Sequence, residues 1–230
     1  MLGYFFQAGA AGQSDLSAKW GLGARFVKEG AAVLLAVKLN PGLAEWISDG
    51  MEVAGGEVGE DDVHLVVEYK RQEVWDGVAS PRANRFIVHH NLNNPLVSRL
   101  EKFSASLPGF GPQLLVVGGL QMIDNFPFME GRRVERLMGI RNHLESVDQN
   151  TLLHFEMARF MDGSLLSELT EHIIPHVDSV GMNEQELPNL ESILIKGGVV
   201  EVANSNPRLA VMLHMMRTVF RKLSFKRSST

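Results

Sequence analysis

Strand-like and helix-like stretches alternate along this chain from about Val63 to Leu223, and that alternation is its tightest constraint on fold. Val63, Leu65, Val67 and Tyr69 interleave with His64, Val66 and Glu68, the period of a strand with two unlike faces. Arg85–Val88 reads as a second strand. Asn94–Leu107 has helical spacing at Leu96, Val97, Leu100, Phe103 and Leu107. Leu114–Val117 is a continuous apolar run stopped by Gly118-Gly119, which suits a strand buried on both faces. Gly131–Val147 (helix), Leu152–Glu156 (strand), Leu165–Ile174 (helix), Val177–Met182 (strand) and Leu187–Ile195 (helix) continue the series. Arg208–Leu223 carries the clearest helical stripe. This order is the signature of βαβ units on a mainly parallel sheet. The first fifty residues are less well specified. Val33–Val37 suits a buried strand, and Pro41-Gly42 reads as a turn.

Composition removes several function classes. There is no cysteine among the 230 residues, so disulfides, thiolate zinc sites, iron–sulfur clusters and Cys nucleophiles are excluded. A formal net charge of −5 argues against a dedicated nucleic-acid binder. No run of apolar residues is long enough to span a membrane. Met1–Gly12 lacks the charged start and long apolar stretch of a signal peptide, so the default expectation is a cytoplasmic protein.

In an open parallel sheet, ligands gather at the carboxyl ends of the strands. Three groups sit there or beside a strand. Asn183-Glu184-Gln185-Glu186 follows the Val177–Met182 strand and could hold a hydrated Mg²⁺, which uses few carboxylates. Asn183 followed by Glu186 is also the spacing of a helix capping box. Glu156 ends the preceding strand, either as a surface acid or as part of a divalent-metal site. Arg82-Ala83-Asn84-Arg85-Phe86 places two guanidinium groups beside an amide, a phosphate clamp or a solvated basic turn. No Walker loop, dinucleotide fingerprint, nucleophile elbow or His-Glu-x-x-His is present. His89, His90, His172 and His176 read as structural or solvated. Met212, Met215 and Met216 read as core or partner-helix packing.

Five stretches together resemble the ADP-dependent glucokinase family of the ribokinase-like superfamily, most of all its animal members. They are Asp62–Tyr69, Arg82–Ile87, Leu114–Met122, His154-Phe155-Glu156 and Val180–Leu187. The close resemblance runs from about Asp61 to Leu190, and a weaker one reaches back to Gly9-Ala10-Ala11-Gly12. It implies a partial ribokinase-like α/β fold: a mainly parallel sheet flanked by helices, with remnants of a small lid domain. The expected organisation is a divergent N-terminal part that holds partial lid and sheet (1–60), a glucokinase-like core (61–200), and a C-terminal helix with a basic tail (201–230).

The resemblance also implies a reaction, phosphoryl transfer from ADP to the 6-hydroxyl of glucose with Mg²⁺, leaving AMP. By position, Glu156 matches the acid of the family's His-x-Glu segment. Asn183 and Glu186 match its Asn-x-x-Glu motif. These three are the expected metal-site residues, so the resemblance favours a metal role for Glu186 over a cap alone. Arg85 is the better candidate for a donor-phosphate contact and Arg82 the weaker. Asn84 and Glu68 complete the expected phosphate- and substrate-binding set.

The departures are equally specific. The family's general base is the Asp of a Gly-x-Gly-Asp motif at a helix N-terminus, where backbone N–H groups form an anion hole. No such motif occurs here; Gly197-Gly198-Val199-Val200 has no acid in place. The family's Gly-Gly-Asn-Ala sugar-binding segment is also absent. The expectation is therefore the middle portion of such a kinase, with no catalytic base and weak or no activity. The alternative is a non-catalytic, metal- and nucleotide-binding relative that acts through a partner. A monomer is expected, with self-association if apolar core is left open. Nucleic acid is not an expected ligand. Full-length animal relatives are associated with the endoplasmic reticulum.

Overall fold

The structure is a computed structural model. It describes residues 2–5, 26–38, 47, 49–56, 63–81, 83–90, 96–158, 160, 163–199 and 208–223, with backbone only for 2–5, 63–66, 84–90 and 125. Strands β1 (Leu2–Phe5), β2 (Val33–Leu35), β3 (Met51–Val53), β8 (Leu114–Val117), β9 (Leu152–Glu156) and β10 (Ser179–Gly181) form one sheet. Its order is β10-β9-β8-β1-β2-β3, and every neighbouring pair is parallel. Strands β4 (Val63–Tyr69) and β7 (Asn84–His90) form a separate antiparallel pair. Between them lies the short hairpin β5 (Val74–Trp75) and β6 (Val78–Ala79). These antiparallel pieces fall in the stretch expected to be core, after residues 1–60 where the partial lid was expected.

Helices α1 (Arg99–Phe110), α2 (Arg132–Glu145), α3 (Gly163–His172), α4 (Glu186–Lys196) and α5 (Leu209–Lys222) supply the helical layer. Strand side chains alternate between faces, so each face gathers residues two apart. Leu34, Ala36, Leu115, Val117, Leu153 and Phe155 join one core with the buried stripes of α1 to α4 and Val219 of α5. Fully burying a side chain such as Phe103 or Phe155 contributes about 2–3 kcal/mol. The opposite face carries a smaller cluster of Val33, Leu35, Val37, Met51 and Val116. In register with Val116 on that second face stand His154 of β9 and then Ser179 of β10. Leu152 and Glu156 share it and are exposed.

The alternation read from the sequence therefore holds, with three differences. The helix expected from Asn94 begins at Arg99, because Val97 has φ 56° and no α-helix passes through that conformation. Arg136 of α2 supports the turn by donating from Nε to the Leu96 carbonyl and from Nη2 to the Val97 carbonyl. Leu2–Phe5, for which the sequence suggested no element, is a central strand of the sheet. The β5–β6 hairpin was signalled by Asp76-Gly77, with φ 49° and 79°, the positive pair that a two-residue type I′ turn requires. The Gly9–Gly12 stretch, Pro41-Gly42, Arg82 and the basic tail lie outside the described residues.

Candidate phosphate and metal site

The carboxyl ends of β9 and β10 bring together the residues expected to face a metal. Leaving β10, the chain turns through Asn183 into α4. The Asn183 carbonyl accepts from Leu187 N–H at 3.1 Å, so Asn183 acts as the helix cap. Its Oδ1 accepts from the N–H groups of Gln185 (2.8 Å) and Glu186 (3.0 Å). Glu186 reaches back: Oε2 accepts from Asn183 N–H at 2.9 Å and Oε1 from Asn183 Nδ2 at 2.8 Å. This is a closed capping box, in which each side chain satisfies orphan donors of the helix start.

The box has an electrostatic cost. Glu186 is 8% exposed. Burial pushes its carboxyl above the ordinary carboxylate range, against the pull of the Asn183 N–H; the charges of Glu156 and Glu184 push it further up. A helix cap alone does not call for a second acid close enough to repel it. Glu156 ends β9, and the strand register sets it beside Gly181 of β10. Its Oε2 lies 3.1 Å from His154 Nε2. The His154 Nδ1 lies 2.8 Å from Ser179 Oγ.

No three His, Asp or Glu side chains converge as a ready-made metal cage among the described residues. Two carboxylates, Glu156 at the end of β9 and Glu186 at the start of α4 beyond β10, the second buried and repelled by the first, are oxygen donors of the kind suited to a hard cation that keeps most of its water. Glu156, Glu186 and Asn183 would hold it.

The expected phosphate-binding residues stand on the separate antiparallel pair. Register sets Glu68 opposite Arg85 and Tyr69 opposite Asn84. Glu68 is exposed. Arg82 and the side chains of Asn84 and Arg85 lie outside the described residues. One polar group that the motif reading did not single out is Gln121. It follows Gly118-Gly119 in the 3₁₀ turn Leu120–Asn125 that leaves the carboxyl end of β8. Its Oε1 is buried with no hydrogen-bond partner. The signal was its place directly beyond a buried parallel strand, where ligands gather.

The conserved region described as ADP-specific phosphofructokinase/glucokinase matches residues 22–230. The ADP-dependent glucokinase of Bos taurus is 36% identical over 161 residues, covering 67% of this chain and 31% of that protein. The probable ADP-dependent glucokinase of Caenorhabditis elegans is 28% identical over 165 residues, 68% of this chain and 32% of its own length. Among solved structures, an ADP-dependent kinase in complex with fructose 6-phosphate and ADPβS superposes with a TM-score of 0.65 at 19% identity. That match covers 84% of this chain and 48% of the other. A ribokinase from Cryptococcus neoformans superposes with a TM-score of 0.50 at 13% identity, covering 96% of this chain and 67% of its own. The chain thus spans about a third of the curated relatives and about half of the ADP-dependent kinase structure. No described helix is long and apolar enough to cross a membrane. With a parallel sheet flanked by helices, paired acids at its carboxyl rim and a family match over most of its length, the chain belongs to the ADP-specific phosphofructokinase/glucokinase family and has its ribokinase-like fold.

Proposed function

We propose that this chain carries the cation- and phosphate-handling rim of an ADP-dependent sugar kinase, which transfers phosphoryl from ADP to the 6-hydroxyl of glucose. The observation that carries the reading is the repulsion between Glu156, at the end of β9, and buried Glu186, at the start of α4 just beyond β10. Glu156, Glu186 and Asn183 would hold Mg²⁺ there, and the ion would supply neutralisation of phosphate charge. Asn183 fixes the Glu186 carboxylate through two donated hydrogen bonds. Arg85 and, secondarily, Arg82 supply donor-phosphate contacts, with Asn84 and Glu68 beside them. Gln121 offers its unpartnered amide oxygen to a substrate hydroxyl.

The step these residues do not perform is removal of the hydroxyl proton. No Gly-x-Gly-Asp occurs in the 230 residues. Turnover therefore needs a base and an anion hole supplied from outside them. Incubation of the purified chain with glucose and MgADP, followed by an enzyme-coupled assay for glucose 6-phosphate, tests this. Turnover at or below the assay background is expected, and robust turnover overturns the assignment of the base.

One observation favours a second reading, a non-catalytic relative that acts through a partner. Leu209, Leu213, Met216 and Phe220 of α5 are 72%, 56%, 47% and 70% exposed. A concentration-dependent shift in size-exclusion elution supports that reading; a constant monomer elution removes its main support.

A further inference from the structure

The β9–β10 edge is arranged around one orientation of the Glu156 side chain. Parallel register sets Ser179 beside His154 and Gly181 beside Glu156, all on one face of the sheet. The Ser179 hydroxyl meets His154 Nδ1 at 2.8 Å, and His154 Nε2 meets Glu156 Oε2 at 3.1 Å. These contacts fit the tautomer in which the hydroxyl donates to Nδ1 and Nε2–H donates to the carboxylate. Oε1 of Glu156 stays clear of that hydrogen bond.

Gly181 completes the arrangement through space. It has ordinary strand φ, so no backbone conformation calls for glycine there. A Cβ at this position would stand 2.1 Å from Glu156 Oε2 and 2.7 Å from His154 Nε2. Real Cβ atoms never approach so closely, so any larger residue evicts both groups from where they lie.

We propose that Ser179, His154 and Gly181 are positioning residues that present the Glu156 carboxylate to a divalent cation. This rests on the reading above that Glu156 belongs to a cation site. Ser179 sets the ring, the ring holds one carboxylate oxygen, and the bare Cα of Gly181 leaves room for both. Partners of this kind, one hydrogen bond away from a metal ligand, typically govern affinity by about 10–100-fold.

The test is Mn²⁺ binding to the full 230-residue chain, followed by electron paramagnetic resonance of the free ion, with far-UV circular dichroism and thermal unfolding as folding controls. Glu156→Gln defines the site. Gly181→Ala, Ser179→Ala and His154→Ala each weaken Mn²⁺ binding by about tenfold or more. His154→Gln, whose amide places a donor near the position of Nε2, recovers most of the loss, which a merely structural role would not produce. Ser179→Ala and His154→Ala add no bulk and carry the test if Gly181→Ala fails to fold. Wild-type affinity in these variants, with binding lost in Glu156→Gln, overturns the positioning role and leaves the cation site standing. Wild-type affinity in Glu156→Gln overturns the cation site and the positioning role together.

Discussion

Replacing Asn183 by Ala removes more from this molecule than from an ordinary helix cap. Its Oδ1 holds two backbone N–H groups at the start of α4, and its Nδ2 holds one oxygen of a carboxylate that is 8% exposed. Loss of a good cap costs about 1 kcal/mol. Leaving a buried polar group short of a partner costs about 1–3 kcal/mol. Asn183 is itself exposed, so water replaces part of what is lost. The net expectation is about 2 kcal/mol, or a fall in Tm of about 4–8 °C for a chain of this size. Asn183→Ser keeps an acceptor for the helix N–H groups but loses the longer side chain's Nδ2 that donates to Glu186 Oε1, so its stability falls between the two. Urea unfolding followed by circular dichroism measures all three proteins. A loss below about 0.5 kcal/mol in Asn183→Ala refutes the reasoning, because the cap and the carboxylate would then not depend on this side chain.

Two further outcomes follow from named atoms. Glu186 has its carboxyl raised in the folded chain, chiefly by burial, so the native state holds that proton more tightly than the unfolded one. Its contribution to stability therefore falls as pH rises from the ordinary carboxylate range through the raised value, and the cost is absent below that range. Unfolding of wild type and Glu186→Gln across about pH 4 to 7 checks the sign: the wild type loses stability relative to the variant as pH rises. At the bend after β3, a Cβ on Gly55 would stand 1.6 Å from the Val37 carbonyl oxygen. Backbone cannot yield as a side-chain tip does, so Gly55→Ala lowers stability by about 2 kcal/mol or more in the same unfolding assay.

How far the sequence reveals this molecule depends on what kind of signal each part carries. Leu114–Val117 and Leu152–Glu156 are legible because an apolar run ended by glycine, or by a charged residue, has few other uses. The β1 strand is not legible: Leu2–Phe5 is short, contains Gly3, and takes its identity from pairing with β2 and β8 rather than from its own pattern. The start of α1 is misjudged for a similar reason. Val97 continues the apolar period, yet its backbone is held at positive φ while α2, remote in sequence, supplies Arg136 to its carbonyl. At the site, Asn183 and Glu186 declare themselves by spacing, and the folded chain closes the cap that this spacing allows, while the cation role is the one proposed for the same pair. Ser179 and Gly181 carry no such mark. Their significance lies in the register between β9 and β10, which only the folded sheet supplies.

The central claim is that the rim at β9 and β10 engages ADP through a divalent cation. Calorimetric titration of ADP into the chain, with and without Mg²⁺, tests it most directly when wild type and Glu156→Gln are run side by side. Binding that requires Mg²⁺ and is lost in Glu156→Gln is expected. No binding, or the same isotherm with and without Mg²⁺ in both proteins, would contradict it.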